Sequence, residues 1–227
     1  MFKETLIYIL LWLLIQLLIE INCQIVPFRP LRRYRHTATL IDNKLYILGG
    51  AISLTSLVYS NDFFYLDFSG PFNTKELPWR ELSNNNMIVP QHYGAASAKA
   101  GANNKTLFLY GGDGLSSDIS GMALVYAYNP QSNTWSIPEI VGNNVARKTE
   151  LEGIIDRSGK MYLWGGWTGS ISSNMNPVND MLILDTVNLS WGKGSLAGAP
   201  TPRVVYGALL LPDNNIIYIG KQAIIVA

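Results

Sequence analysis

The chain has 227 residues, of which 48% are hydrophobic and 15% charged, with a formal net charge of +1. That length and apolar content suffice for a sizeable core and exclude a disordered tail. The near-neutral balance gives no basis for a nucleic-acid partner, because phosphate binding needs Lys and Arg clustered on one face.

Residues 1–23 read as a targeting segment. Lys3 precedes an apolar, helix-forming run from Leu6 to Ile19, broken only by Gln16, and Glu20-Ile21-Asn22-Cys23 follows. The run of about 14 residues fits a signal peptide and falls short of the roughly 20 that span a bilayer. Cleavage after Cys23 leaves Gln24 first and a chain without cysteine. The alternative is an uncleaved membrane anchor formed by residues 6–21. Arg29, Arg32, Arg33 and Arg35 outweigh Lys3 across the run and would hold the remainder on the cytoplasmic side. Length favours export to the extracellular space or cell surface, and charge favours the anchor. Asn104-Lys105-Thr106 and Asn188-Leu189-Ser190 are N-glycosylation acceptors that accord with a secretory route.

Residues 24–227 are repetitive. Leu45-Tyr46-Ile47-Leu48-Gly49-Gly50 returns as Leu107-Phe108-Leu109-Tyr110-Gly111-Gly112 and as Met161-Tyr162-Leu163-Trp164-Gly165-Gly166, with a degenerate copy at Ile216-Ile217-Tyr218-Ile219-Gly220-Lys221. The first glycines stand 62, 54 and 55 residues apart, a period suited to one four-stranded propeller blade. Upstream of each pair, Asp42-Asn43, Asn103-Asn104, Ser158-Gly159 and Asp213-Asn214-Asn215 supply residues that tolerate positive φ, the chemistry of a hairpin turn. Downstream come Asp62-Phe63-Phe64-Tyr65-Leu66-Asp67, Val125-Tyr126-Ala127-Tyr128-Asn129 and Asp180-Met181-Leu182-Ile183-Leu184-Asp185, followed by Trp79, Trp135 and Trp191. The first copy carries an insertion in residues 68–78.

A strand ending in a glycine pair, a strand ending in Tyr-Asp or a variant of it, and a spaced tryptophan together resemble the kelch repeat family. The resemblance runs from Arg33 to the C-terminus, with repeats at about 33–83, 90–139, 147–195 and an incomplete 201–227. It departs at Leu66 and Leu184, where the family often has tyrosine, and at Lys221, which replaces a glycine. The resemblance implies an all-β, kelch-type β-propeller of about three and a half blades behind an N-terminal apolar helix. Since propellers close with four to eight blades, the chain is expected to be a fragment of a longer protein.

Gly49, Gly50, Gly111, Gly112, Gly165 and Gly166 are expected to let the backbone bend and neighbouring chains approach, and Trp79, Trp135 and Trp191 to fill the gaps between sheets. The function expected is a binding scaffold with no catalysis and no cofactor, secreted or membrane-associated, that engages a protein or glycan through the loops after each glycine pair, residues 51–61, 113–121 and 167–179. Tyr59, Asp113 and Trp167 are the candidate contacts, the two aromatics being taken as exposed anchors. The alternative is a fragment of a galactose-oxidase-like copper radical oxidase, since kelch-like propellers include such an enzyme. That resemblance would imply a Tyr–Cys crosslink, a second tyrosine and two histidines. Cys23, however, lies in the targeting segment, and His36 and His92, the only histidines, read as the same place in successive repeats. No metal site is assigned, and no Gly-x-Ser-x-Gly elbow, His-Glu-x-x-His helix or phosphate loop occurs.

Overall fold

The computed structural model describes residues 2–21, 27–53, 55–56, 58–83, 88–114, 121–142, 145–169 and 174–220. The chain opens with a helix, α1 (Phe2–Ile21), on which Leu6, Tyr8 and Trp12 are exposed. Among the described residues no helix is long and apolar enough to cross a membrane. The junction at Cys23 and Gln24 lies outside the described residues.

Strands follow in repeating order. The first sheet is built from β1 (Thr37–Ile41) and β2 (Lys44–Leu48), then, after a small hairpin of β3 (Ala51–Ser53) and β4 (Val58–Tyr59), from β5 (Phe63–Asp67) and β6 (Trp79–Glu81). The second holds β7 (Tyr93–Ala100), β8 (Thr106–Asp113), β9 (Val125–Asn129) and β10 (Thr134–Ser136). In the third, β11 (Gly153–Ile155) and β12 (Lys160–Trp164) are separated from β15 (Met181–Asp185) and β16 (Ser190–Lys193) by a hairpin of β13 (Trp167–Thr168) and β14 (Asn176–Pro177). Each of the three is a four-stranded antiparallel meander, the blade expected from the repeat, and β17 (Gly207–Leu210) and β18 (Ile216–Ile219) begin a fourth. The protein is nearly all-β, and the described blades do not close a ring.

The strand sequences explain the stacking. In β8, Leu107 and Leu109 enter the core shared with the first blade, while Phe108 and Tyr110 enter the core shared with the third. Alternate side chains face opposite sides of a sheet, so a strand covered on both faces reads as an unbroken apolar run. Neighbouring innermost strands pack in chain order, β1 on β7, β7 on β11 and β11 on β17. Trp135 lies edge-on to Phe63 of the preceding blade at 5.1 Å, and Trp191 meets Tyr110 of its preceding blade at 5.7 Å. Trp79 packs instead on Phe64 of its own blade, whose ring also meets Phe28 at 5.4 Å. The hairpin turns place Asp42, Asn104, Gly159 and Asn214 at positive φ.

The glycine pairs tie consecutive blades together. Gly50, Gly112 and Gly166 donate their N–H groups to His92, Lys148 and Arg203 of the next blade at 2.8, 3.0 and 2.9 Å. A Cβ on Gly49 would lie 2.7 Å from the His92 ring, and one on Gly111 would collide with the Lys148 carbonyl.

Candidate functional site

The axial end of the arc is built from one repeated backbone position. Arg35, Gly94, Glu150 and Val205 stand at or just before the start of the innermost strands of the four blades, and all have φ between 50° and 64°. Their backbones form a chain of hydrogen bonds, Gly94 N–H to Arg35 O at 2.8 Å, Glu150 N–H to Gly94 O at 2.7 Å and Val205 N–H to Glu150 O at 3.0 Å. Holding three non-glycine residues in the left-handed region costs on the order of 1 kcal/mol each, which the interblade bonds offset. The positions line a cavity of about 170 Å³ together with His36, Glu152 and Tyr206.

Gly94 has no side chain, so Arg35 reaches across its blade to an ion pair with Glu150. Burial pushes the Glu150 carboxyl above its ordinary range, while Arg35 and a hydrogen bond from the Trp167 side chain pull it back. The Arg35 guanidinium also lies 5.6 Å from the centre of the Tyr93 ring. Tyr93 stacks on Tyr59 at 4.8 Å and donates its hydroxyl to Asp113 at 3.0 Å. Burial and the Asp113 charge raise the Tyr93 phenol, which remains a donor. Tyr59 and Asp113, from the first two loops after a glycine pair, thus meet Tyr93 beside Arg35, and Trp167, from the third, bonds Glu150.

The expectation of Tyr59 as an exposed anchor is corrected, since it is 4% exposed; Asp113 is buried as well, and Trp167 is half-buried. Their apolar and hydrogen-bonding surfaces are used up inside the protein, and they shape the face from beneath. Residues 54, 57, 115–120 and 170–173 of the candidate loops lie outside the described residues.

His36 and His92 do not occupy equivalent places. His92 accepts the N–H of the preceding blade's second glycine, as Lys148 and Arg203 do, and in the first blade this position belongs to Arg33, two residues before Arg35. His36 aligns instead with Ala95, Leu151 and Tyr206. The strands β7 and β8 are eight residues long where β1 and β2 are five, so spacing from the glycine pair shifts the alignment. His36 is exposed, and His92 is 1% exposed with Nδ1 2.8 Å from Pro90 O. Burial pushes His92 down to about 4. No group of three or more His, Cys, Asp or Glu residues able to hold a metal occurs among the described residues. This geometry lends the copper-oxidase alternative no support.

Asn104 and Asn188 sit in exposed turns. The Asn188 amide donates to Asp185 at 2.9 Å. Arg35 and Glu150, the charged pair at the axis, are absent from the expected site residues; only the hydrogen-bond chain through positive-φ residues identifies them, and that pattern leaves no fixed residue type in the sequence.

Comparison with known proteins accords with this architecture. A family model described as the KLHDC2/KLHL20/DRC7 Kelch-repeats domain matches residues 35–223. The chain is 24% identical over 198 residues to Acyl-CoA-binding domain-containing protein 6 of Oryza sativa subsp. japonica, covering 85% of this chain and 28% of that protein. It is 24% identical over 215 residues to Host cell factor of Drosophila melanogaster, covering 85% and 14%. It is 26% identical over 199 residues to Kelch domain-containing protein 10 of Xenopus laevis, covering 85% and 43%. The chain therefore spans less than half the length of each of these relatives.

Proposed function

The chain belongs to the kelch-repeat family, and on that premise we propose that it is a protein-binding scaffold without catalysis whose partner docks on the axial face around Arg35 and Glu150. The observation that carries this reading is that the three post-glycine loops meet one ion pair beside the axial cavity, Tyr59 and Asp113 by way of Tyr93 and Trp167 directly. A rigid frame holding loops around a charged, partly desolvated centre suits recognition of another polypeptide. The burial of Tyr59 removes one aromatic platform that a glycan partner would need, so a protein partner is preferred. The test is affinity capture with the wild-type chain and with an Arg35→Ala/Glu150→Ala double variant, which leaves neither charge buried alone. Loss of captured proteins by a variant of unchanged circular dichroism supports the reading; an unchanged set refutes it.

Residues 1–23 are proposed to direct the chain into the secretory pathway. Asn104, whose turn is exposed, is the preferred glycan acceptor, because the Asn188 amide is held by Asp185. Expression of the tagged chain in a secreting cell, with and without N-glycosidase, tests both statements. Retention of an unmodified, unprocessed chain refutes them.

A further inference from the structure

A second cavity lies at the turn end of the first two blades, the end opposite the glycine pairs. It measures about 330 Å³, in the size range of small-molecule sites. Asp42, Lys44 and Asp67 of the first blade and Lys105 of the second line it around Tyr46. Both of these blades are complete four-stranded sheets.

Tyr46 is 4% exposed, its ring held against Phe63, Tyr65 and Tyr128. Its hydroxyl makes no hydrogen bond among the described residues and is not enclosed, so it opens on the cavity. The third blade supplies the comparison. There Tyr162 holds the place of Tyr46 and donates its hydroxyl to Asp156 at 3.0 Å. Asp156, whose N–H bonds Lys160 O, stands where Ile41 stands opposite Lys44 in the first blade. Isoleucine offers no acceptor, and the Tyr46 donor is left without a protein partner. Burial first, then Tyr65 and the charges of Asp42 and Asp67, push this phenol up to about 12, so it remains a donor.

Acceptors line the same space. Asp67 Oδ1 is taken by Ser69 and Asp42 Oδ2 by Lys105 at 3.3 Å, while the other oxygen of each carboxylate accepts no bond among the described residues. Two carboxylates and two ammonium groups balance, so the lining selects no ion of either sign.

We propose that this cavity between the first and second blades binds a neutral polyhydroxylated ligand, a sugar ring or polyol, one hydroxyl of which accepts from Tyr46 and donates to Asp67. A hydroxyl is donor and acceptor at once, so neighbouring hydroxyls answer phenol, ammonium and carboxylate groups standing side by side without bringing a countercharge. A zwitterion would have to open the Lys105–Asp42 pair, and a single ion would meet its own sign across the cavity. The site is separate from the axial face and does not rest on the docking proposed there.

The probes are methyl α-D-glucopyranoside, methyl α-D-galactopyranoside and methyl α-D-mannopyranoside, each titrated into the full chain and followed by saturation-transfer difference NMR. Saturable binding of at least one is expected, weakened about five-fold by Tyr46→Phe, the size of one hydrogen bond, and unchanged by Tyr162→Phe in the third blade. Asp67→Asn, which keeps an acceptor for Ser69, should weaken binding as well and keeps the test valid if Tyr46→Phe folds poorly. Absence of saturable binding by all three glycosides, or an affinity that neither variant changes, overturns the proposal. Displacement of the glycoside by equimolar glycine or acetate would assign the cavity to an ion and overturn it too.

Discussion

Lowering the pH from 7 to 4 isolates the contribution of His92. Its ring is buried against Gly49, its Nδ1 is committed to Pro90 O, its Nε2 has no partner, and the nearest charge acting on it is Arg147. Burial first and the Arg147 charge second disfavour the imidazolium and outweigh the Pro90 carbonyl, which favours it, so the folded value is about 4 against an ordinary 6.5. Because the folded value is depressed, the contribution is fully present above 6.5. It is lost as the pH falls towards 4, where the unfolded chain takes up a proton that the folded chain refuses. At pH 4 the linkage amounts to about 3 kcal/mol, from a separation of roughly 2.5 pH units at 1.36 kcal/mol each, less the half-protonation reached at the midpoint. Urea unfolding followed by tryptophan fluorescence, at pH 7, 6, 5 and 4, is compared between wild type and His92→Gln. Other carboxylates titrate in both proteins and cancel in the difference. Wild type is expected to lose about 3 kcal/mol more than the variant across this range. Equal losses would refute the assignment of a neutral, desolvated His92.

Further expectations concern the same frame. Asp180→Ala leaves the buried Lys148 ammonium without its carboxylate and is expected to destabilise the third blade by about 3 kcal/mol, measured by urea unfolding. The exposed pair Lys105–Asp42 is worth under about 1 kcal/mol, and Asp42→Asn should leave the midpoint nearly unmoved. Gly94→Ala drives a methyl into Thr149 Oγ1 at positive φ and should cost about 1–3 kcal/mol and loosen the Arg35–Glu150 pair, which hydrogen exchange at Glu150 would report. Trp135→Ala empties the contact with Phe63 and Tyr128 and is expected to cost about 3–5 kcal/mol in thermal unfolding.

The blades were legible because their requirements are local. A hairpin turn needs a residue that tolerates positive φ, and Asp42, Asn104, Gly159 and Asn214 answer that need within a few residues of a strand. The glycine pairs are as legible for a less local reason. A Cβ at Gly49 would meet a residue of the next blade, but this prohibition applies in each of the three complete blades, at Gly49, Gly111 and Gly165, and so leaves the same mark each time. The axial site left no such mark. Its positive-φ position is filled by Arg35, Gly94, Glu150 and Val205, because interblade hydrogen bonds enforce the backbone and leave the side chain free to vary. Tyr59 misled for a related reason: a tyrosine in a loop reads as exposed until the stacking partner, Tyr93 of the next blade, is placed beside it.

The second blade keeps a bond of the first and fourth blades while changing the residue that makes it. The carbonyl of the first glycine takes a donor from the blade's own arginine in the first and fourth blades, Arg33 to Gly49 and Arg203 to Gly220. His92 occupies that place in the second blade, and its Nδ1 is turned to Pro90. Arg147 supplies the bond instead, donating Nη1 to Gly111 O at 3.0 Å and Nη2 to Met122 O at 2.7 Å from the approach to the third blade. A buried carbonyl left unpaired costs about 1–3 kcal/mol, enough to require a substitute when histidine cannot reach. The exchange has a mechanical consequence. In the first and fourth blades the bond stays within a blade, whereas in the second it crosses to the next one and adds to the Gly112–Lys148 tie between the second and third blades. The Arg35–Glu150 pair spans the same region from the first blade to the third, over Gly94 of the second.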